Sequence, residues 1–180
     1  MTEKQKSKPE HMLMEAIGFT EEDLAANREG YFTKRQRTRL SAKQSSWIIL
    51  AFLIAVVGLF LAMFAVVDGV RTDATTARTV GLIFADLVMV AGLLSYIWLN
   101  WRRYNTDLRD TELRTVEGRV LLDVSHQGNS GNYYTVHVED INFSINKPIF
   151  LAFKNGDPYH IYYAPHSKTI LSAEWLREEL

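Results

Sequence analysis

The chain of 180 residues contains no cysteine, so disulfides, zinc-thiolate sites, iron-sulfur clusters and thiol catalysis are excluded together. A phosphate-binding loop, a dinucleotide fingerprint, a nucleophile elbow and an EF-hand loop are also missing. His126, His137, His160 and His166 fall within 41 residues. No H-x-x-x-H spacing joins them, so surface or hairpin positions are the ordinary reading. No metal, no cofactor and no catalytic residue is therefore expected. The first 46 residues hold no apolar h-region, and the first hydrophobic run is too long for a signal peptide and lacks a small-residue cleavage pattern. That run is expected to serve as its own uncleaved insertion signal.

Charge is scarce between residues 47 and 99 and plentiful on either side. Residues 1 to 46 carry 9 Lys/Arg and 7 Asp/Glu, and residues 104 to 180 carry 7 and 11. Within the middle region, "WIILAFLIAVVGLFLAMFAVV" runs 21 residues from Trp47 to Val67 without a charge, and about 20 residues cross a hydrocarbon core. Val80 to Leu99 repeats the pattern over 20 residues, interrupted by Asp86 and Ser95. The 12-residue connector, 68 to 79, predicts two antiparallel neighbouring helices forming a transmembrane hairpin over 47–101.

Orientation follows from the flanking bases. Lys34, Arg35, Arg37, Arg39 and Lys43 precede the first span, Arg102 and Arg103 follow the second, and the connector has only Arg71 and Arg78. Trp47, Trp98 and Trp101 mark the same end. A multi-pass protein of the plasma (inner) membrane with both termini cytoplasmic is expected. The seven basic residues form a membrane-surface set that either attracts anionic lipid, at about 1 kcal/mol each near the surface, or only sets topology.

Asp86 lies six residues inside the outer end of the second span, roughly 9 Å deep at about 1.5 Å per residue. An ionised carboxylate there costs on the order of 2.5–3.5 kcal/mol on insertion scales, so it should face protein or water, or be protonated. It could hydrogen-bond to its own partner helix or to another subunit, be tied to Arg71 or Arg78, or lie on a proton or ion path. The path reading is poorly supported, since Ser95 is the next polar group on that helix. Gly58 and Ala62, spaced as small-xxx-small, permit close helix approach and join Asp86 as candidate partner-binding residues.

Residues 1–46 read as a helical arm. Thr20 and Asp23 have the spacing of a capping box with Phe19 stapled to Leu24, Gly30 suits the position after the helix end, and Thr33 with Gln36 starts a second helix. Nucleic-acid binding is not expected, because the bases belong to the membrane flank rather than a recognition face. The tyrosines at 133, 134, 159, 162 and 163 could stack bases, but the acidic balance of the tail argues against that ligand.

Over 102–180 the pattern alternates with period two and predicts five strands: "TVEGRVLLDV", "NYYTVHVED", "INFSI", "DPYHIYYAP" and "KTILSAEWL". Turns fall at "HQGNSGN", Glu139-Asp140, "KNGD" and Pro165, and "KPIFLAF" predicts one helical turn. A small, closed or nearly closed SH3-like or OB-like barrel is expected. Its predicted core is Val116, Val120, Leu122, Val136, Val138, Phe143, Ile145, Phe150, Ile161, Tyr163 and Ile170. On "VEGRV", "YTVHV", "FSI" and "GDPYHIYYAP", residues 114–175 resemble the membrane-anchored small β-barrels of NfeD-type proteins. That resemblance implies an adaptor to other membrane proteins.

The fold class expected is thus α+β: a helical arm, a two-helix hairpin and a small five-stranded barrel. The expected role is a non-catalytic accessory or scaffold subunit that binds other integral membrane subunits, itself or membrane lipid. A homo-oligomeric channel or transporter component with Asp86 facing a pore is the alternative, and a membrane-tethered enzyme is a third.

Overall fold

A computed structural model describes residues 8–71, 76–110, 112–126 and 131–176. The chain divides into two units, one of residues up to Arg39 together with Asp107 onward, the other of Leu40–Thr106. The fold is α+β.

In the first unit, α1 (Lys8–Leu13) runs into a π-helical turn, Met14–Gly18. Helix α2 (Glu21–Arg28) starts at the predicted capping box, with the Thr20 and Asp23 side chains each bonding the other's backbone N–H. It ends before Gly30, whose φ of +89° is a conformation that costs glycine little. Thr33 and Gln36 form the second reciprocal cap, at 3.2 Å in both directions, and open α3 (Lys34–Arg71).

The carboxyl-terminal part corrects the barrel expectation. The described residues form six strands, not five, in two antiparallel three-stranded sheets, and no barrel closes. One sheet has the order β1-β5-β6 (β1 Arg114–Arg119, β5 Pro158–Ala164, β6 Thr169–Trp175). The other has the order β2-β3-β4 (β2 Leu121–His126, β3 Asn132–Val138, β4 Ile141–Ile145). The extra strand arises because "TVEGRVLLDV" breaks at Val120. There the backbone leaves both ladders: Val120 N–H donates to Asp157 O (2.9 Å) and Val120 O accepts from Gly156 N–H (2.7 Å). Leu122 N–H then donates to the Asn155 side chain at 2.8 Å. The "KNGD" turn therefore occupies the corner between the sheets. The helical turn is present as α5 (Lys147–Ala152), capped by Asn146. The interior of "HQGNSGN", residues 127–130, lies outside the described residues.

Seven of the eleven predicted core residues are buried: Val120, Val136, Val138, Phe143, Ile161, Tyr163 and Ile170. Val116, Leu122 and Ile145 are partly buried against them, while Phe150 packs at a tilt against Tyr134 with centroids 5.0 Å apart. The same core takes in Leu13, Ile17 and Phe19. The amino-terminal segment, read from sequence as an arm of its own, thus completes this unit. Fully burying one such Leu, Ile or Phe contributes about 1.5–3 kcal/mol, a large gain for sheets of this size.

The second unit holds the middle of α3 and of α4 (Thr76–Asp110). Both helices are long and apolar enough to cross a membrane. They run further than the spans 47–67 and 80–99, and the basic stretch and the first span are one unbroken helix. The expected loop 68–79 is helical through Arg71 and again from Thr76, with 72–75 outside the described residues.

Candidate functional site

Two glycines set the geometry of the hairpin. A Cβ on Gly58 would stand 2.6 Å from Val90 Cγ2, and one on Gly69 would stand 2.5 Å from Thr79 Oγ1. Eleven steps forward on α3 thus match eleven steps back on α4, which is one antiparallel register. On it, Ala62 stands opposite Asp86. The less exposed residues follow with spacings of three and four, including Ile54, Gly58, Ala62 and Ala65 on α3 and Ile83, Asp86, Val90 and Leu94 on α4. The small-residue pair and the carboxylate, read separately from sequence, therefore belong to one seam within this chain. Elsewhere both helices expose large apolar side chains, such as Phe52 (68%), Leu59 (73%) and Phe84 (67%). Beside Gly58 an apolar groove of about 180 Å³ opens, lined by Leu53, Val57, Met89, Val90 and Leu93.

Asp86 is partly exposed as a residue, but its Oδ1 is shut off from solvent and meets no hydrogen-bond partner among the described residues. Arg71 and Arg78 are exposed and neither bonds to it. Ser95 donates to Ala91 O at 2.8 Å and is thereby occupied. At the tryptophan-bearing end, Trp47 meets Tyr96 edge to face at 6.2 Å, and Gln44 donates to Asn105 at 3.1 Å. The Arg102 guanidinium lies 5.5 Å from the Trp98 ring. The Trp101 indole N–H is buried there without a partner among the described residues.

Of the basic set, Lys34, Arg35, Arg37, Lys43, Arg102 and Arg103 are exposed. Arg39 is placed differently. Its guanidinium donates to Ile17 O at 2.7 Å and to Gly18 O, closing the carbonyl end of the π-helical turn. Burial, and then the neighbouring Arg35 charge, lower its pKa. It fastens the amino-terminal segment.

The unit with the sheets contains polar clusters that sequence reasoning missed. Asn27 and Gln36 exchange amide bonds of 3.0 and 2.8 Å, and Ser172 donates to Asn27 Oδ1 at 2.6 Å. The fully buried Asp107 carboxylate accepts the backbone N–H groups of His166 (2.9 Å) and Ser167 (2.7 Å). Arg28 grips Glu174 with two donors, and Tyr162 OH donates to the same carboxylate at 2.9 Å. Burial pushes the Glu174 carboxyl up, but the bonds from Arg28 and Tyr162 outweigh it and hold the group below its ordinary value. Burial, and then Glu174, push the Tyr162 phenol up to about 12. The Asp23, Asn27 spacing of four, which puts both on one helix face, was the only local signal of these clusters.

Two of the histidines make ordinary contacts. His137 bonds Asn142 at 2.6 Å, and His160 stacks on Tyr162 at 4.7 Å. Among the described residues no three His, Asp or Glu side chains are grouped to hold a metal ion. Tyr159 and Tyr163 lie in the core and Tyr162 is buried beside Glu174, so the tyrosines offer no common stacking face. Comparison with protein families, curated proteins and solved structures finds no match to this chain.

Proposed function

We propose that this chain is a non-catalytic integral membrane protein of the plasma (inner) membrane. It crosses twice with both termini in the cytoplasm and acts as an accessory or scaffold subunit for other membrane proteins. The observation that carries this reading is the exposure of the hairpin. Away from their mutual seam, α3 and α4 present Leu, Ile, Phe, Val and Met to their surroundings over both apolar runs. A face of that extent is far larger than soluble proteins leave bare, and lipid or other membrane helices are the media that cover it without cost. Exposed Lys43, Arg102 and Arg103, with the Trp47 and Trp98 rings at the same end, support the cytoplasmic assignment. The folded sheet unit supplies a cytoplasmic body for contact with partner subunits, the role that the NfeD-type resemblance implies.

Protease added to sealed, right-side-out cells is expected to spare both ends of the chain, whereas inverted vesicles expose both. Digestion of either end in the sealed cells overturns the topology. Purification in mild detergent followed by native mass measurement tests the role. Foreign subunits in fixed stoichiometry support the accessory reading, and a ring of identical chains supports instead a pore with Asp86 on its wall.

A further inference from the structure

We infer that Asp86 is the docking point for a transmembrane helix of another protein that carries a lysine or arginine at the same depth. This rests on the membrane reading above. The seam leaves one Asp86 oxygen without any donor while the residue as a whole stays partly exposed. The hairpin itself therefore does not satisfy the carboxylate. Intramembrane carboxylates pair with a cation or line water, because leaving them unpaired in hydrocarbon is costly.

A second copy of this chain cannot supply the cation. Neither apolar run, 47–67 or 80–99, contains a Lys or Arg, and the nearest bases, Arg71 and Arg78, lie toward the connector. The nearest other polar side chain of α4 in that run is Ser95, which is bonded to its own helix and lies nine residues, roughly 13 Å, away. Identical copies would bring only one Asp86 against another, and such a pair must take up a proton and still leaves a charge uncompensated. Charge complementarity thus selects a different chain with a basic group. The apolar groove starts one helical turn from Asp86, at Met89 and Val90. A lysine stem lying along it brings its ammonium toward the carboxylate while the methylenes stay in apolar surroundings.

The test uses the full chain, reconstituted in phosphatidylcholine vesicles and labelled for energy transfer to synthetic Leu/Ala transmembrane peptides. One peptide carries a single Lys six residues from one end of its apolar run, and the other carries Leu there. The Lys peptide is expected to bind roughly five- to thirty-fold more tightly, the range of one intramembrane polar contact. Asp86→Leu should abolish that difference and Asp86→Asn should reduce it. Alanine at Ser95 should leave it unchanged, which separates loss of the carboxylate from loss of the fold. Equal binding of both peptides by a chain that resists carbonate extraction overturns the inference alone. A chain stripped from the vesicles by carbonate overturns the membrane reading as well. Self-association that disappears in Asp86→Leu, without preference for the Lys peptide, assigns the site to a second copy and also overturns the inference.

Discussion

The two units treat their buried carboxylates in opposite ways. In the sheet unit, Asp23, Asn27, Gln36, Asp107 and Ser172 are all buried and all bonded within the unit. In the hairpin, the Asp86 oxygen and the Trp101 indole N–H are buried and bond to nothing among the described residues. An unmade hydrogen bond costs about 1–3 kcal/mol, and the sheet unit avoids that cost at Asp23 and Asp107 with donors of its own. The hairpin also exposes most of its large apolar side chains, whereas the sheet unit encloses a core.

Variants can break or sharpen that contrast. The largest effect is expected from Phe143→Ala, which empties the centre of the sheet core and should destabilise that unit by about 3–5 kcal/mol. Denaturant titration in detergent should show the near-UV transition of the sheet unit moving while the helical far-UV signal of the hairpin stays. Next comes Asp107→Ala, which strands two backbone N–H groups and should cost about 3 kcal/mol. Asp107→Asn should recover part of that, since one oxygen still accepts. A change of both signals together in either variant would mean that the units do not unfold separately.

In the hairpin, Gly58→Leu forces a side chain into Val90, and overpacking of this kind costs about 1–3 kcal/mol. Because the chain has no native cysteine, cysteines introduced at Ala62 and Asp86 report the seam directly. Their disulfide should form readily and fail in the Gly58→Leu background. The smallest effect is expected at Arg28, whose side chain is 57% exposed. Arg28→Ala should cost less than about 1 kcal/mol, as screened surface pairs do.

The same cluster predicts the direction of pH dependence. Glu174 is depressed on folding, so its stabilisation is complete above the ordinary carboxylate range and is lost as pH falls through the folded value. Tyr162 is raised from 10.0 to about 12, so its contribution is complete below pH 10 and is lost as pH rises through about 12. Glu174→Gln should flatten the acid limb of the stability profile and weaken the alkaline one. Thermal unfolding of the full chain across pH reads both.

What was legible in the sequence was local. The Thr20/Asp23 and Thr33/Gln36 caps, Gly30, the period-two strands and the helical turn at 147–152 depend on neighbours within a few residues. The two apolar runs needed only their length. What escaped depended on distant partners. The break at Val120 is set by the turn at 154–157, more than thirty residues away, and nothing inside "TVEGRVLLDV" announces it. Arg39 looked like one more base before a membrane, yet its guanidinium is claimed by carbonyls at 17 and 18. The burial of Leu13, Ile17 and Phe19 escaped because the surface they cover is built by the other end of the chain. At the candidate site, the sequence offered Asp86, Gly58 and Ala62 but not their common seam, since register between two helices is fixed by where backbones touch.

One carboxylate in the amino-terminal segment serves two helix beginnings at once. Asp23 receives the backbone N–H of Thr20 through one oxygen and the hydroxyl of Thr33 through the other, and Thr33 in turn receives Gln36 N–H. The starts of α2 and α3 are thereby wired in series, and neither can fray while the other holds. Amide exchange at residues 23 and 36 should accordingly keep a single clock, and Asp23→Ala should set the two running apart.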